Sequence, residues 1–274
     1  MYNFISGEKI QSKCLTILFN KSSNPKIEDF NCIKANEISD NFNNPYNIFC
    51  YSDHLNHIDY LINILLKFNN EFILVFHNSD YNFKSQHLIL FQKIPNLQRI
   101  YTQNCSIIDD NVEPIPIGIV NEMWKHGNLN ILNEVIKLNI PKTKHIYFNF
   151  DINTNKTKRT NCKSILISKN IPWIDKKDFK NYLIELSSHY YAICPDGNGL
   201  DTHRLWECFY LNVIPICLKN SYLEYFQKQH NFEMILLDDW NNLNQDKLHY
   251  KSSKNKIIIE RYEKYLWSKL TDIN

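Results

Sequence analysis

The chain has 274 residues, 43% hydrophobic and 14% aromatic, enough apolar surface for one large folded domain or two small ones. A formal net charge of +2 argues against an extended nucleic-acid surface, which needs a strong basic excess. Residues 1–10 show no basic n-region or long apolar segment, and no uncharged apolar run reaches the length of a membrane span, so a cytoplasmic protein is expected.

Short apolar runs alternate with helical patterns along the chain. Cys14 to Phe19 and Asn47 to Tyr51 read as strands. His54 to Phe68 carries Leu55, Ile58, Leu61, Ile62 and Leu65 at helical spacing. Phe72 to His77 reads as a buried strand, and Arg99 to Thr102 and Ile115 to Ile119 as short ones. A polar stretch with Gly127 then leads into a helix ending near Pro141. A second rhythm follows. Strands are expected at His145 to Phe150, Tyr190 to Cys194, Val213 to Leu218 and Met234 to Leu237. Helices are expected at Thr157 to Ser168, Phe179 to Ser188, Thr202 to Leu211 and Lys254 to Leu270. This is the βαβ pattern of parallel sheets. It predicts an α/β protein of two Rossmann-like domains, 1–135 and 136–274, facing a central cleft.

The chain contains five glycines, and Gly197 and Gly199 fall between an expected strand and an expected helix. Ligands of open α/β sheets bind at the carboxyl ends of strands. Glycine there permits positive φ or close approach, and the helix N-terminus offers free N–H groups to a phosphate. Asp201 or Thr202 is the expected N-cap. Arg204 lies in the first turn, where its charge opposes the helix dipole unless an anion binds. Glu207 stands beside it at i+3 and suits ribose hydroxyls as acceptor. An ordinary surface ion pair is the plainer alternative.

The run Gly197-Asn198-Gly199-x-Asp201-Thr202-His203-Arg204-x-Trp206-Glu207, with Tyr210-Leu211 and Ile214-Pro215-Ile216, resembles the donor segment of exostosin-like glycosyltransferases. It is most similar to the small exostosin-like proteins of microbes and large DNA viruses. His77-Asn78-Ser79-Asp80, Gln103-Asn104-Cys105, Pro116-Ile117-Gly118-Ile119, Trp124-x-His126-Gly127 and Phe148-Asn149-Phe150 with Asn153 and Arg159 look like the same group. The resemblance covers about residues 70–225. It implies a GT-B fold, with the donor nucleotide held by the C-terminal domain. Arg204 then meets the donor diphosphate and Glu207 the ribose. The donor-binding set becomes Asn149, Arg159, Pro195, Gly197, Asn198, Gly199, Asp201, His203, Arg204 and Glu207, with Lys158 the alternative to Arg159 as second phosphate contact. A viral source would place the protein in host cytoplasm.

Inverting transfer needs a base on the acceptor side. Asp53, His54, His77, Asp80, Glu122 and His126 are candidates, and Asp80 and His77 are favoured because they end an expected strand. No Asp-x-Asp triplet occurs, and the eight cysteines never form CxxC, so no metal cofactor is expected and the thiols should be reduced and internal. The expected partners are a UDP-sugar donor and a glycan or glycoprotein acceptor. A GDP-fucose-type fucosyltransferase and a catalytically inactive nucleotide-sugar-binding module are the alternatives.

Overall fold

A computed structural model describes residues 4–14, 16–18, 46–124, 126–249 and 251–271. It is an α/β protein with two parallel sheets, each in a compact unit of its own. Phe19 of the first expected strand, the polar stretch after it and Cys32 lie outside the described residues.

One unit comprises residues 7–117 together with the chain from Lys264 onward. Its chain runs α1 (Gly7–Lys13), β1 (Thr16–Leu18), β2 (Tyr46–Tyr51), a 3-10 turn (Ser52–His57), α2 (Ile58–Leu65), β3 (Phe72–His77), α3 (Ser85–Phe91), β4 (Leu97–Thr102) and β5 (Val112–Pro114). The five strands pair in chain order, all parallel. All six residues of β3 are buried, as a central parallel strand requires. The strand expected at Ile115 to Ile119 is displaced to β5. Its ladder with β4 ends on the bond from Ile115 N–H to the Thr102 carbonyl at 3.0 Å, where β4 gives way to a turn at Asn104 with φ of 51°.

The other unit holds residues 1–6 and 118–263. It contains α4 (Leu129–Lys137), β6 (Lys144–Tyr147), a 3-10 turn (Ile152–Asn155), α5 (Lys156–Ser168), α6 (Phe179–Ser187), β7 (His189–Ile193), α7 (His203–Tyr210), β8 (Ile214–Leu218), α8 (Ser221–His230) and β9 (Ile235–Leu237). Strands β6 to β9 also pair in chain order, all parallel. In neither sheet does the order of the described strands reverse. One face of this sheet packs Phe148, Phe150, Cys162, Leu166 and Ile193 into a core. A separate aromatic cluster centres on buried Trp206, whose ring meets Phe209, Phe226 and Phe232 at 5.3–5.6 Å between centroids.

The last helix, α9 (Asn255–Thr271), leaves this unit after Glu263 and ends in the other. The first described residues do the reverse. Ile5 donates its N–H to the Tyr210 hydroxyl at 2.9 Å and accepts from the Ile119 N–H at 2.7 Å. Gly118 permits this with φ of 70°, where a Cβ would strike the Ile5 carbonyl. Residues 118–135 therefore go with the second sheet, whereas the sequence reading placed the boundary at 135/136. The seven described cysteines are free thiols. No helix among the described residues is long and apolar enough to cross a membrane.

Candidate functional site

The loop from Cys194 to Thr202 leaves the carboxyl end of β7 and enters α7. Helix α5 clamps it from one side. Asn155 caps α5 by accepting from the Lys158 N–H, and its amide nitrogen donates to the Gly197 carbonyl at 2.8 Å. Arg159 is buried, and its guanidinium donates to the carbonyls of Asp196 (2.9 Å), Asp151 (2.7 Å) and Pro195 (3.5 Å). Lys158 pairs with Asp196 at 2.7 Å. Arg159 thus shapes the loop through backbone, and Lys158 is engaged at its rim.

Of the two roles expected of the glycines, positive φ does not apply. Gly118 is the one described glycine with positive φ, so neither Gly197 nor Gly199 is there for a left-handed backbone. Gly197 is buried, and a Cβ on it would lie 3.5 Å from Thr202 and 3.6 Å from Arg159 Nη2, ordinary contact distances. Asn198 is exposed and Pro195 buried.

Asp201 faces inward. Its buried carboxylate accepts from the Trp206 indole N–H at 2.8 and 2.9 Å, the Tyr222 hydroxyl at 2.7 Å and the Thr202 N–H at 2.7 Å. It fixes the entry to α7, while Thr202 holds the cap position without a side-chain bond. His203 Nδ1 donates to the Gly118 carbonyl at 2.8 Å.

Arg204 and Glu207 lie on another face of α7. They are joined through Tyr182 of α6, a residue that sequence reasoning missed. Arg204 Nε donates to the Tyr182 hydroxyl at 3.1 Å, and that hydroxyl donates to Glu207 Oε2. Arg204 Nη1 donates to the Asn149 carbonyl, and the Asn149 side chain donates to Ile174 O at 2.6 Å. The guanidinium carbon lies 5.0 Å from the Tyr182 ring centre and 5.4 Å from that of Tyr147. Lys142 holds the two helices in register by donating to Ser187 O (2.7 Å) and Leu211 O (2.8 Å) at their carboxyl ends. In sequence Tyr182 reads as one more apolar position beside Phe179 and Leu186, which is why nothing marked it.

Neither Arg159 nor Arg204 forms an ion pair among the described residues. Burial lowers the Arg159 pKa, and the Arg204 charge lowers it further. Burial also disfavours the Arg204 charge, yet Tyr182, Tyr147, Cys194 and Glu207 outweigh that and hold its pKa above the ordinary value. Glu207 is raised by burial, against the opposing pull of Tyr182 and Arg204.

Of the residues expected to offer a base, Asp53, His54, His77 and Asp80 belong to the other unit, whereas Glu122 and His126 go with the second sheet. His77 is buried, with Nε2 donating to Pro116 O at 2.8 Å and Nδ1 at 3.1 Å from the Asn78 side chain. Gln103 clamps the same turn, accepting from the Asn78 N–H and donating to Ser79 O. Asn78 and Asn104 take φ of 61° and 51°, which asparagine tolerates. The segments 77–80 and 103–105, with Pro116, thus build the carboxyl edge of the first sheet, and Gly118 and Ile119 go with the second. Asp80 is exposed, and Asp53 accepts from the Ser79 hydroxyl. Compared with known proteins, the chain matches no protein-family model and no curated protein sequence.

Proposed function

We propose that the chain is an inverting glycosyltransferase of the GT-B type that moves a sugar from a UDP-sugar to a glycan hydroxyl. Arg204 carries the reading. Two aromatic rings and two hydrogen bonds fix it, a second guanidinium stands near it, and no ion pair among the described residues matches its charge. A diphosphate would supply that match. Arg204 Nη2, which has no partner among the described residues, meets the diphosphate, and the α7 N-terminus adds its dipole. Glu207 Oε1 accepts from the ribose. As the bond from sugar to diphosphate breaks, charge grows on the leaving oxygen and Arg204 stabilises it. Asp80, exposed after β3, takes the acceptor proton in this scheme, because His77 is buried with both ring nitrogens engaged. The burial of His77 also favours a second reading, a binding module without turnover.

Thermal shift with UDP-, GDP-, CMP- and TDP-sugars tests the donor site. A ligand at about 100 times its Kd adds about 2.7 kcal/mol. Absence of a shift with all four sinks the proposal. Arg204→Lys keeps the charge but not the forked geometry, and is expected to weaken UDP binding about 10-fold or more. Release of UDP in the presence of a glycan acceptor separates the two readings. Asp80→Asn should keep the thermal shift and lose release, whereas a wild type that binds but never releases UDP favours the module.

A further inference from the structure

Packing alone does not account for the hydroxyl of Tyr182. Its ring lies 5.8 Å from that of Tyr147 and 6.3 Å from that of Phe179, contacts a phenylalanine would make equally well. What phenylalanine could not do is join Arg204 Nε to Glu207 Oε2. The two bonds point the same way, from guanidinium to hydroxyl to carboxylate, so each polarises the other. Glu207 is only 5% exposed, and Tyr182 is the one hydrogen-bond partner of its carboxylate among the described residues. Without that bond, the carboxylate would be free to turn and to fold back on Arg204, one helical turn away.

We infer that Tyr182 is a positioning residue: its hydroxyl holds Glu207 off Arg204 and leaves Oε1 as the oxygen that receives the ribose of a bound nucleotide. The inference rests on the donor-site reading. Arg204 is thereby kept for phosphate and Glu207 for sugar, two tasks that a direct Arg204–Glu207 ion pair would cancel. The supporting elements are rigid. Lys142 ties the far ends of α6 and α7 by donating to Ser187 O and Leu211 O.

The test is calorimetric titration of the full chain with UDP and with 2′-deoxyuridine diphosphate. A hydrogen bond to a charged group predicts that the wild type prefers UDP by about 10-fold or more. Tyr182→Phe should bring that preference within about threefold while leaving the affinity for the deoxy nucleotide nearly unchanged. Glu207→Gln should collapse the preference in the same way. A merely structural Tyr182 would lower the melting temperature and leave the ratio intact, and that result overturns the inference. So does a Glu207→Gln chain that still discriminates, which decides the matter even if Tyr182→Phe fails to fold. A wild type that binds both nucleotides equally overturns this inference alone. One that binds neither overturns the donor reading and this inference with it.

Discussion

Gly197 and Asp201 share a loop and set opposite constraints on it. A Cβ at Gly197 meets protein at ordinary contact distance, so the fold does not need glycine there. The space beside Arg159 Nη2 is then the feature glycine preserves. Gly197→Ala should change stability by less than about 0.5 kcal/mol in urea denaturation and weaken UDP binding about 10-fold. Asp201→Ala should do the reverse of the first part. It strips the acceptor from the buried Trp206 and Tyr222, at a cost of about 2–4 kcal/mol in the same denaturation. The sequence marked both residues but could not say which way each faced. Spacing places Arg204 and Glu207 together on α7, whereas the inward turn of Asp201 depends on Tyr222 of α8 and has no local signature.

At the scale of elements, the N-termini of α5 and α6 make a controlled pair. Asn155 and Asp178 cap them by the same bond to the third residue along. Replacing either by alanine should cost about 1 kcal/mol. Only Asn155 also holds the Gly197 carbonyl, so Asn155→Ala should weaken nucleotide binding and Asp178→Ala should not. Titration of both variants with UDP at matched temperature checks this. Most strands were legible because a buried parallel strand is a continuous apolar run, as at Phe72 to His77. Helices α1 and α3 were not, having seven residues each, too few turns for a period to show. Apolar character at Ile115 to Ile119 suggested a strand, but the partner strand β4 ends at Thr102, which the later segment does not record.

The whole molecule carries a pH dependence in α9. Glu263 is buried against the Tyr210 hydroxyl at 2.7 Å, and burial, with Glu260 adding, pushes its pKa up to about 7 from 4.5. The folded state therefore binds the extra proton, so this contribution is full below pH 4.5 and is lost as pH rises through 7. Glu263→Gln keeps an acceptor for Tyr210 and removes the ionisation. It should raise stability by roughly 2–3 kcal/mol at pH 8 and by nothing near pH 4, read from denaturant melts at the two pH values. The division into two α/β parts was visible in the repeated strand–helix rhythm. The route of the chain between them was not, because the bond from Ile5 to Tyr210 joins residues 205 positions apart and no periodicity encodes it.

That route bears on heredity. Residues 4–6 complete the unit of the second sheet, and the chain after Glu263 completes the unit of the first. A single genetic crossover that exchanges one sheet between related chains strands both ends on foreign partners. Exchange between such chains succeeds only where both ends travel with their sheets, so the two halves of this protein should diverge together rather than be shuffled apart.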